Sequence, residues 1–266
     1  MHPDHEINRA SWDELAVAHG QDAYYDSEAL IAGASSLIEE EMAALEAAVG
    51  RELGGRRVLH VQCHLGFDAI TLARRGARVT GVDFSMAALA KAESLAGRCG
   101  VEVEWICADA IQLPGSLDNR FDLAWATIGV LCWIADVSAW MRSVARALAP
   151  GGHLVLIDGH PLGRMLKSNP LRVARAYGGG SRSVSEPGWD YATELRPGRQ
   201  VQFFHSLGEI VSAAADAGLR VKQLLEHTEI SSSLCDDRLE LESDGRYRRR
   251  VDGHPLPVLF TLVAHR

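Results

Sequence analysis

At 266 residues, with 47% hydrophobic and 23% charged, the chain suits one large α/β domain with a substantial core. Its net charge of −8 speaks against a nucleic-acid partner, which would call for a basic face, and favours a small-molecule one. Five scattered cysteines, Cys63, Cys99, Cys107, Cys132 and Cys235, include no C-x-x-C, so neither a disulfide framework nor a zinc site is indicated and a reducing cytoplasm is expected.

The chain begins MHPDHEINRASWDEL, polar and acidic rather than basic and then apolar, so it does not read as a signal peptide. The longest uncharged run, Leu123 to Ala135, is too short for a membrane span of about 20 residues. Residues 1–52 read as a polar arm carrying Trp12, Tyr24 and Tyr25, followed by a helix. That helix is expected to start at a capping box of Ser36 and Glu39 and to pack Ile38, Met42, Leu45 and Val49 on the body.

Residues 53–160 read as the ligand-binding core. Val58, Leu59 and Val61 make a strand, Ile70, Leu72 and Ala73 a helix that stops at Gly76, and Val79, Thr80 and Val82 a second strand ending at Asp83. A right-handed crossover sets the turn after the first strand beside the end of the second, where open α/β sheets bind ligands. A dinucleotide turn would read G-x-G-x-x-G, whereas this one is Gln62-Cys63-His64-Leu65-Gly66. One glycine suits an adenosyl group without a pyrophosphate. Asp83 is spaced to accept hydrogen bonds from ribose hydroxyls, the alternative being an Asp that caps the next helix.

Ser85 reads as the N-cap of a helix through Met86, Leu89 and Ala92. The strand VEVEWICA then delivers Asp109 and Ala110 to the same sheet edge. Phe121 to Thr127 is a further strand, whose continuation IGVLCW carries Cys132 and Trp133. Asp136 starts a helix, and Leu154 to Ile157 is a strand handing over to Asp158-Gly159-His160-Pro161. Residues 161–205 are irregular, with Tyr177, Trp189, Tyr191 and Phe204 among glycines and prolines, a pattern expected of a functional segment. YATEL and RQVQFF are expected to pair as a two-stranded lid over an acceptor pocket built from Trp133 and those four rings. The same rings holding a second copy, as a homodimer, is the alternative. Residues 206–266 complete the core sheet: Ser206 and Glu209 form a capping box, Leu219 to Leu225 and Pro257 to Ala264 read as the last strands, and Arg246 to Arg250 as a solvated hairpin.

The series VLHVQCHLG, GVDFS, ICADA, FDLAWATIGVLCW and LAPGGHLVLIDGHP resembles that of class I S-adenosylmethionine-dependent methyltransferases, from about Asn8 to Arg266. More narrowly it resembles a bacterial subgroup of small-molecule-type enzymes whose glycine-rich motif is written HxQCHxG and whose later segment reads HSLGEI, here His205 to Ile210. The resemblance implies a Rossmann-like sheet of seven strands, mostly parallel with one antiparallel strand, helices on both faces, and S-adenosylmethionine as cofactor. It implies cofactor contacts from Gln62, Cys63, His64 and Gly66, from Asp83, Phe84 and Ser85, from Asp109 to the adenine amino group, from the Ala110 backbone to a ring nitrogen, from Thr127, and from Tyr24 or Tyr25 on the arm. Where most of the family has an acidic residue at the end of the first strand this chain has His60, so that contact to the methionine amine is not carried over.

The expected reaction is methyl transfer to N, O or C of a small organic molecule in specialised metabolism. A base is needed only if the acceptor carries a proton, and His160 and His205 are the candidates. No carboxylate cluster resembles that of catechol-type methyltransferases, so no metal is expected. Two other classes are a protein of this fold using the sulfonium for cyclisation or regulation, and a nicotinamide-dependent dehydrogenase, which the missing glycines disfavour.

Overall fold

The structure is a computed structural model that describes residues 1–266 apart from 21, 23, 169, 170, 235 and 237, so Cys235 lies outside the described residues. Five strands, β1 (Arg57–Val61), β2 (Arg78–Asp83), β3 (Val103–Cys107), β4 (Phe121–Ala126) and β5 (Leu148–Gly159), pair in parallel. The helices used below are α1 (Pro3–Ala18), α2 (Ser27–Ile31), α3 (Glu39–Val49), α4 (Phe67–Arg74), α5 (Met86–Arg98), α6 (Val137–Ala147) and α7 (Leu207–Asp216). Among the described residues no helix is long and apolar enough to cross a membrane.

The sheet has seven strands in the order Arg220–His227, Leu259–His265, β5, β4, β1, β2, β3. Leu259–His265 runs antiparallel to both its neighbours, as expected of the one reversed strand. Successive residues of β4 and β5 feed opposite cores. Ala124, Ala126, Leu154 and Leu156 pack with Trp140, Met141 and Val144 of α6 and Ile210 and Ala213 of α7. Leu123, Trp125, Val155 and Ile157 pack with Leu45 and Val49 of α3 and Ala69 and Leu72 of α4. Both faces being covered is why these strands read as unbroken apolar runs rather than alternating ones. Each fully buried Leu or Phe there contributes roughly 1.5–3 kcal/mol. Strand order reverses between β1 and β4, so the crevice beyond their carboxyl ends is the topological switch point at which ligands of open α/β sheets bind.

Three local expectations change. The N-cap of α3 is Ile38, whose N–H donates to Glu41 Oε2 at 2.8 Å, while Ser36 turns away to Asp68 and Thr71. The partner of Gln200–Phe204 is Ser181–Ser185, not the segment from Tyr191. Asp190 explains the difference: its carboxylate accepts from the N–H groups of Ala192 and Thr193, curling 190–193 into a turn that cannot join a ladder. Arg246 to Arg250 overlaps the middle strand, Tyr247–Val251, of a small three-stranded sheet in which Arg248 pairs with Glu229, Glu242 and Asp244 and Arg249 is buried. The Ser206–Glu209 capping box of α7 is present.

Candidate active site

A cavity of about 540 Å³ opens at the switch point, lined from β1, β2 and β4 below and from the N-terminal arm, Tyr191 and residues 232–234 around it. The turn after β1 sets its floor. Gln62, His64 and Gly66 have φ of 58°, 45° and 74°, so the alternating left-handed backbone that a glycine-rich turn would adopt is kept by two side-chain-bearing residues. Each costs of order 1–3 kcal/mol, which the surrounding contacts must offset. Gln62 is fixed by Trp140 Nε1 donating to Oε1 (2.9 Å) and by Nε2 donating to the Val130 carbonyl (3.1 Å). Gly66 lies against Trp105, where a Cβ would come within 2.4 Å of the ring.

Asp83 stands at the end of β2. Its Oδ2 accepts from the His64 N–H and its Oδ1 from the Ser85 N–H, both at 2.9 Å, leaving lone pairs on each oxygen. Burial pushes this carboxyl up to about 6 in spite of those hydrogen bonds. A pair of ribose hydroxyls would meet those lone pairs.

Aromatic rings wall the other side. Trp12 of α1 meets His64 at 5.1 Å and Trp133 at 5.3 Å between centroids, both edge-on; Tyr24 meets Tyr25 at 4.9 Å and Tyr191 at 5.4 Å. The hydroxyls of Tyr25 and Tyr191 are hydrogen-bonded to each other. Behind the rings runs a buried chain: His19 Nε2 lies 3.0 Å from Asp190 Oδ1 and His19 Nδ1 lies 2.9 Å from His64 Nε2. Satisfying every nitrogen puts a proton on His19 Nε2, facing the carboxylate, and one on His64 Nε2, facing His19. Burial first, then the His19 imidazole, hold His64 down at about 3.

The remaining end of the cavity is acidic. Asp68, in the first turn of α4, takes the Ser36 hydroxyl on Oδ1 (2.7 Å) and the Thr127 hydroxyl (2.7 Å) and Trp125 indole N–H (3.1 Å) on Oδ2. Beside it, burial and then the Asp68 charge push the Glu41 carboxyl well above the ordinary carboxylate range. His60, buried at the end of β1, has an Nδ1 with no hydrogen-bond partner. Burial holds it below the usual imidazole range, against the pull of Asp68.

The chain matches a family model described as a methyltransferase domain over residues 58–152. It is 30% identical over 175 residues to the ubiquinone biosynthesis O-methyltransferase of Pseudomonas syringae pv. tomato, covering 65% of this chain and 68% of that one. The chain belongs to the class I S-adenosylmethionine-dependent methyltransferases. A relative of the same description in Alkalilimnicola ehrlichii is 40% identical over 103 residues, a match that spans 39% of this chain and 41% of that relative's length. Among solved structures, an S-adenosylmethionine-dependent methyltransferase from Mesorhizobium loti shares the fold, with a TM-score of 0.57, 20% identity, and coverage of 89% of this chain and all of that one.

In this methyltransferase the structure brings Tyr24, Tyr25, Gln62, Cys63, His64, Asp83, Phe84, Thr127, Trp133 and Tyr191 together around the one cavity. Ser85 and Gly66 stand just behind it, Ser85 capping α5 and donating to Asp13. Asp109 does not line the cavity: its carboxylate takes the Nδ1–H of His5 (2.8 and 3.0 Å), whose Nε2 in turn accepts from the Ala135 N–H (3.0 Å), while Ala110 is buried beneath.

Five expected acceptor or catalytic residues lie elsewhere. His160 reaches Glu226 through Nε2 (2.8 Å) and caps its own downstream helical turn through Nδ1, and it is not part of the cavity lining. His205 donates Nε2–H to the Ile134 carbonyl (2.7 Å) and, with Phe204, lines a separate cavity of only about 20 Å³. Tyr177 and Trp189 are 46% and 51% exposed and outside the large cavity. Conversely, His19, Asp190, Glu41 and Asp68 carry no motif signal. Glu41 sits in a run of three glutamates that reads as a solvated helix start, and Asp68 reads as an ordinary acidic first-turn residue. Only three-dimensional placement shows Glu41 as buried and both as facing the cavity.

Proposed function

We propose that the chain transfers the methyl group of S-adenosylmethionine to a small organic acceptor, both held in the cavity at the switch point. The observation carrying this is Asp83 at the end of β2, presenting two half-satisfied carboxylate oxygens to a cavity large enough for the cofactor and part of an acceptor. The cofactor supplies an electrophilic methyl on a sulfonium, and the relatives described as ubiquinone biosynthesis O-methyltransferases support an acceptor of small-molecule size.

The residues of the chain align and desolvate. Trp12, Tyr25, Trp133 and Tyr191 exclude water, and their π-faces favour a positive centre about to lose its charge. Among the described residues the two imidazoles facing the cavity, His60 and His64, are both held below the usual range, which makes them weak bases. Alignment, rather than proton abstraction by a histidine, therefore carries the rate. Residues 186–199 and the arm are the cover.

The test is direct. S-adenosylhomocysteine is expected to bind by calorimetry in the micromolar range, and Asp83→Ala to weaken it by about 2 kcal/mol or more through loss of charge-assisted hydrogen bonds. Incubation with S-adenosylmethionine and an acceptor panel should give products heavier by one methylene. Turnover of an acceptor without that gain in mass would favour a cyclase-type use of the same fold.

A further inference from the structure

The acidic end of the cavity carries more than the cofactor's ribose and methyl require. Glu41 is buried, at 4% exposed, and Asp68 beside it is half-buried; the two interact electrostatically, and neither forms an ion pair among the described residues. No residue lining the described cavity is Lys or Arg. A buried carboxylate is ordinarily paired with a cation; without one, burial and the Asp68 charge favour the protonated form of Glu41, and a cation seated between the two would restore its charge. Their hydrogen bonds do not resolve this. The Ile38 N–H, two hydroxyls and an indole N–H supply dipoles but no positive charge.

His60 is the second, independent sign. It lines the same end, is 4% exposed, and its Nδ1 is buried without a partner. A buried nitrogen left unpaired costs on the order of 1–3 kcal/mol, so it is a poor choice for a residue with a merely structural task. A neutral imidazole nitrogen can accept one hydrogen bond.

We propose that Glu41, Asp68 and His60 form a subsite for a primary ammonium group, whose three N–H donors and single positive charge match two carboxylates and one neutral imidazole acceptor. The inference rests on the methyltransferase reading for its choice of guests. Two molecules could bring such a group, the cofactor through its own α-ammonium or an acceptor that is a primary amine.

Two pairs of probes separate these sources, each applied to wild type, Glu41→Gln and Asp68→Asn, with folding checked by circular dichroism and melting temperature. S-adenosylhomocysteine carries the ammonium and 5′-methylthioadenosine lacks the whole amino-acid portion. Tyramine and 4-methylphenol share a ring and differ by the amine. If the cofactor fills the subsite, both variants lose about tenfold or more in affinity for S-adenosylhomocysteine and none for 5′-methylthioadenosine. If an acceptor fills it, cofactor affinity is unchanged, tyramine but not 4-methylphenol raises the melting temperature of wild type, and the variants abolish that rise. Variants that fold, bind S-adenosylhomocysteine as wild type does, and show no distinction between the two ring compounds would overturn the subsite. Glu41→Gln removes a carboxyl that burial already disfavours as a charge, so it remains a usable variant should Asp68→Asn, which supports three hydrogen bonds, fail to fold. Failure of wild type to bind S-adenosylhomocysteine at all would instead strike the parent reading, and the tyramine comparison, run without cofactor, would still decide the subsite.

Discussion

Asp83 has two states within reach of ordinary buffers, since burial holds its carboxyl near 6. Only the ionised form accepts hydrogen bonds from two ribose hydroxyls at full strength. Cofactor affinity is therefore highest above pH 6 and falls as pH drops through it, because binding must first displace a proton. At pH 5 the loss is about tenfold relative to pH 8, the fraction ionised having dropped by that factor. Calorimetry with S-adenosylhomocysteine across this range should show it, and Asp83→Asn should bind weakly without that slope, so the difference between the two curves isolates Asp83 from Glu41. A wild-type curve parallel to the Asp83→Asn curve would remove Asp83 from the ribose. The turnover number at saturating cofactor should show no step at the usual imidazole range, since burial holds both imidazoles facing the cavity below it. Asp83 was legible from its spacing alone, as the end of a strand about 20 residues beyond a turn. His160 and His205 were misleading for a physical reason. A histidine at a strand's carboxyl edge is in the right place by topology, but its direction is set by neighbours such as Glu226 and the Ile134 carbonyl, which no local pattern encodes.

At the scale of elements, β1, α4 and β2 follow from apolar periodicity, whereas the one reversed strand is legible only through the family resemblance. What escaped was the way α1 is held down. Asn8 acts as an extra strand residue: its Nδ2 donates to the Val201 carbonyl and its Oδ1 accepts from the Val201 N–H, both at 2.8 Å, so a helix side chain completes the edge of the Ser181–Ser185/Gln200–Phe204 hairpin. Both residues are fully buried. Farther along the same helix Asp13 accepts from the Ser85 hydroxyl at 2.6 Å, and His5 holds Asp109. Such ties join residues up to 193 positions apart and leave no periodic trace in the sequence. Asn8→Ala would leave a buried N–H and a buried carbonyl unpaired, at about 1–3 kcal/mol each. The expected outcome is a melting temperature lower by about 4 °C or more, for a total loss of about 2 kcal/mol or more, measured by scanning calorimetry. A change within 1 °C would mean that water replaces the side chain and that the hairpin edge is open.

Considered as a whole, the molecule walls its cavity with pieces that come from far apart: the sheet edge from residues 60–84 and 127–133, the arm from residues 12–41, the insertion through Tyr191, and residues 232–234. Covering and releasing a bound molecule requires one wall of the cavity to move, and the piece that moves is the one with the fewest buried apolar contacts. The seven-stranded sheet, covered on both faces, is excluded on that ground. The segment 186–199 is the better candidate, because among its residues only Gly188, Asp190 and Pro197 are buried and its grip on the rest passes through Asp190, the Tyr25–Tyr191 hydroxyl pair and the Gly198 N–H donated to Glu14. Asp190 reaches His19 and through it His64, so arm, insertion and cofactor turn share one buried polar chain. Such a chain is satisfied as a unit or not at all. Cutting it should release both covering segments together. In hydrogen exchange, amides of residues 186–199 in the free protein should exchange faster than those of β1 and β4, and S-adenosylhomocysteine should slow them. Asp190→Asn should speed exchange in residues 186–199 and in residues 12–19 by similar factors, while the sheet is unaffected. Faster exchange of 186–199 with residues 12–19 left at the wild-type rate would show two independent covers, and His19 would then be holding His64 in place rather than joining the arm to the insertion.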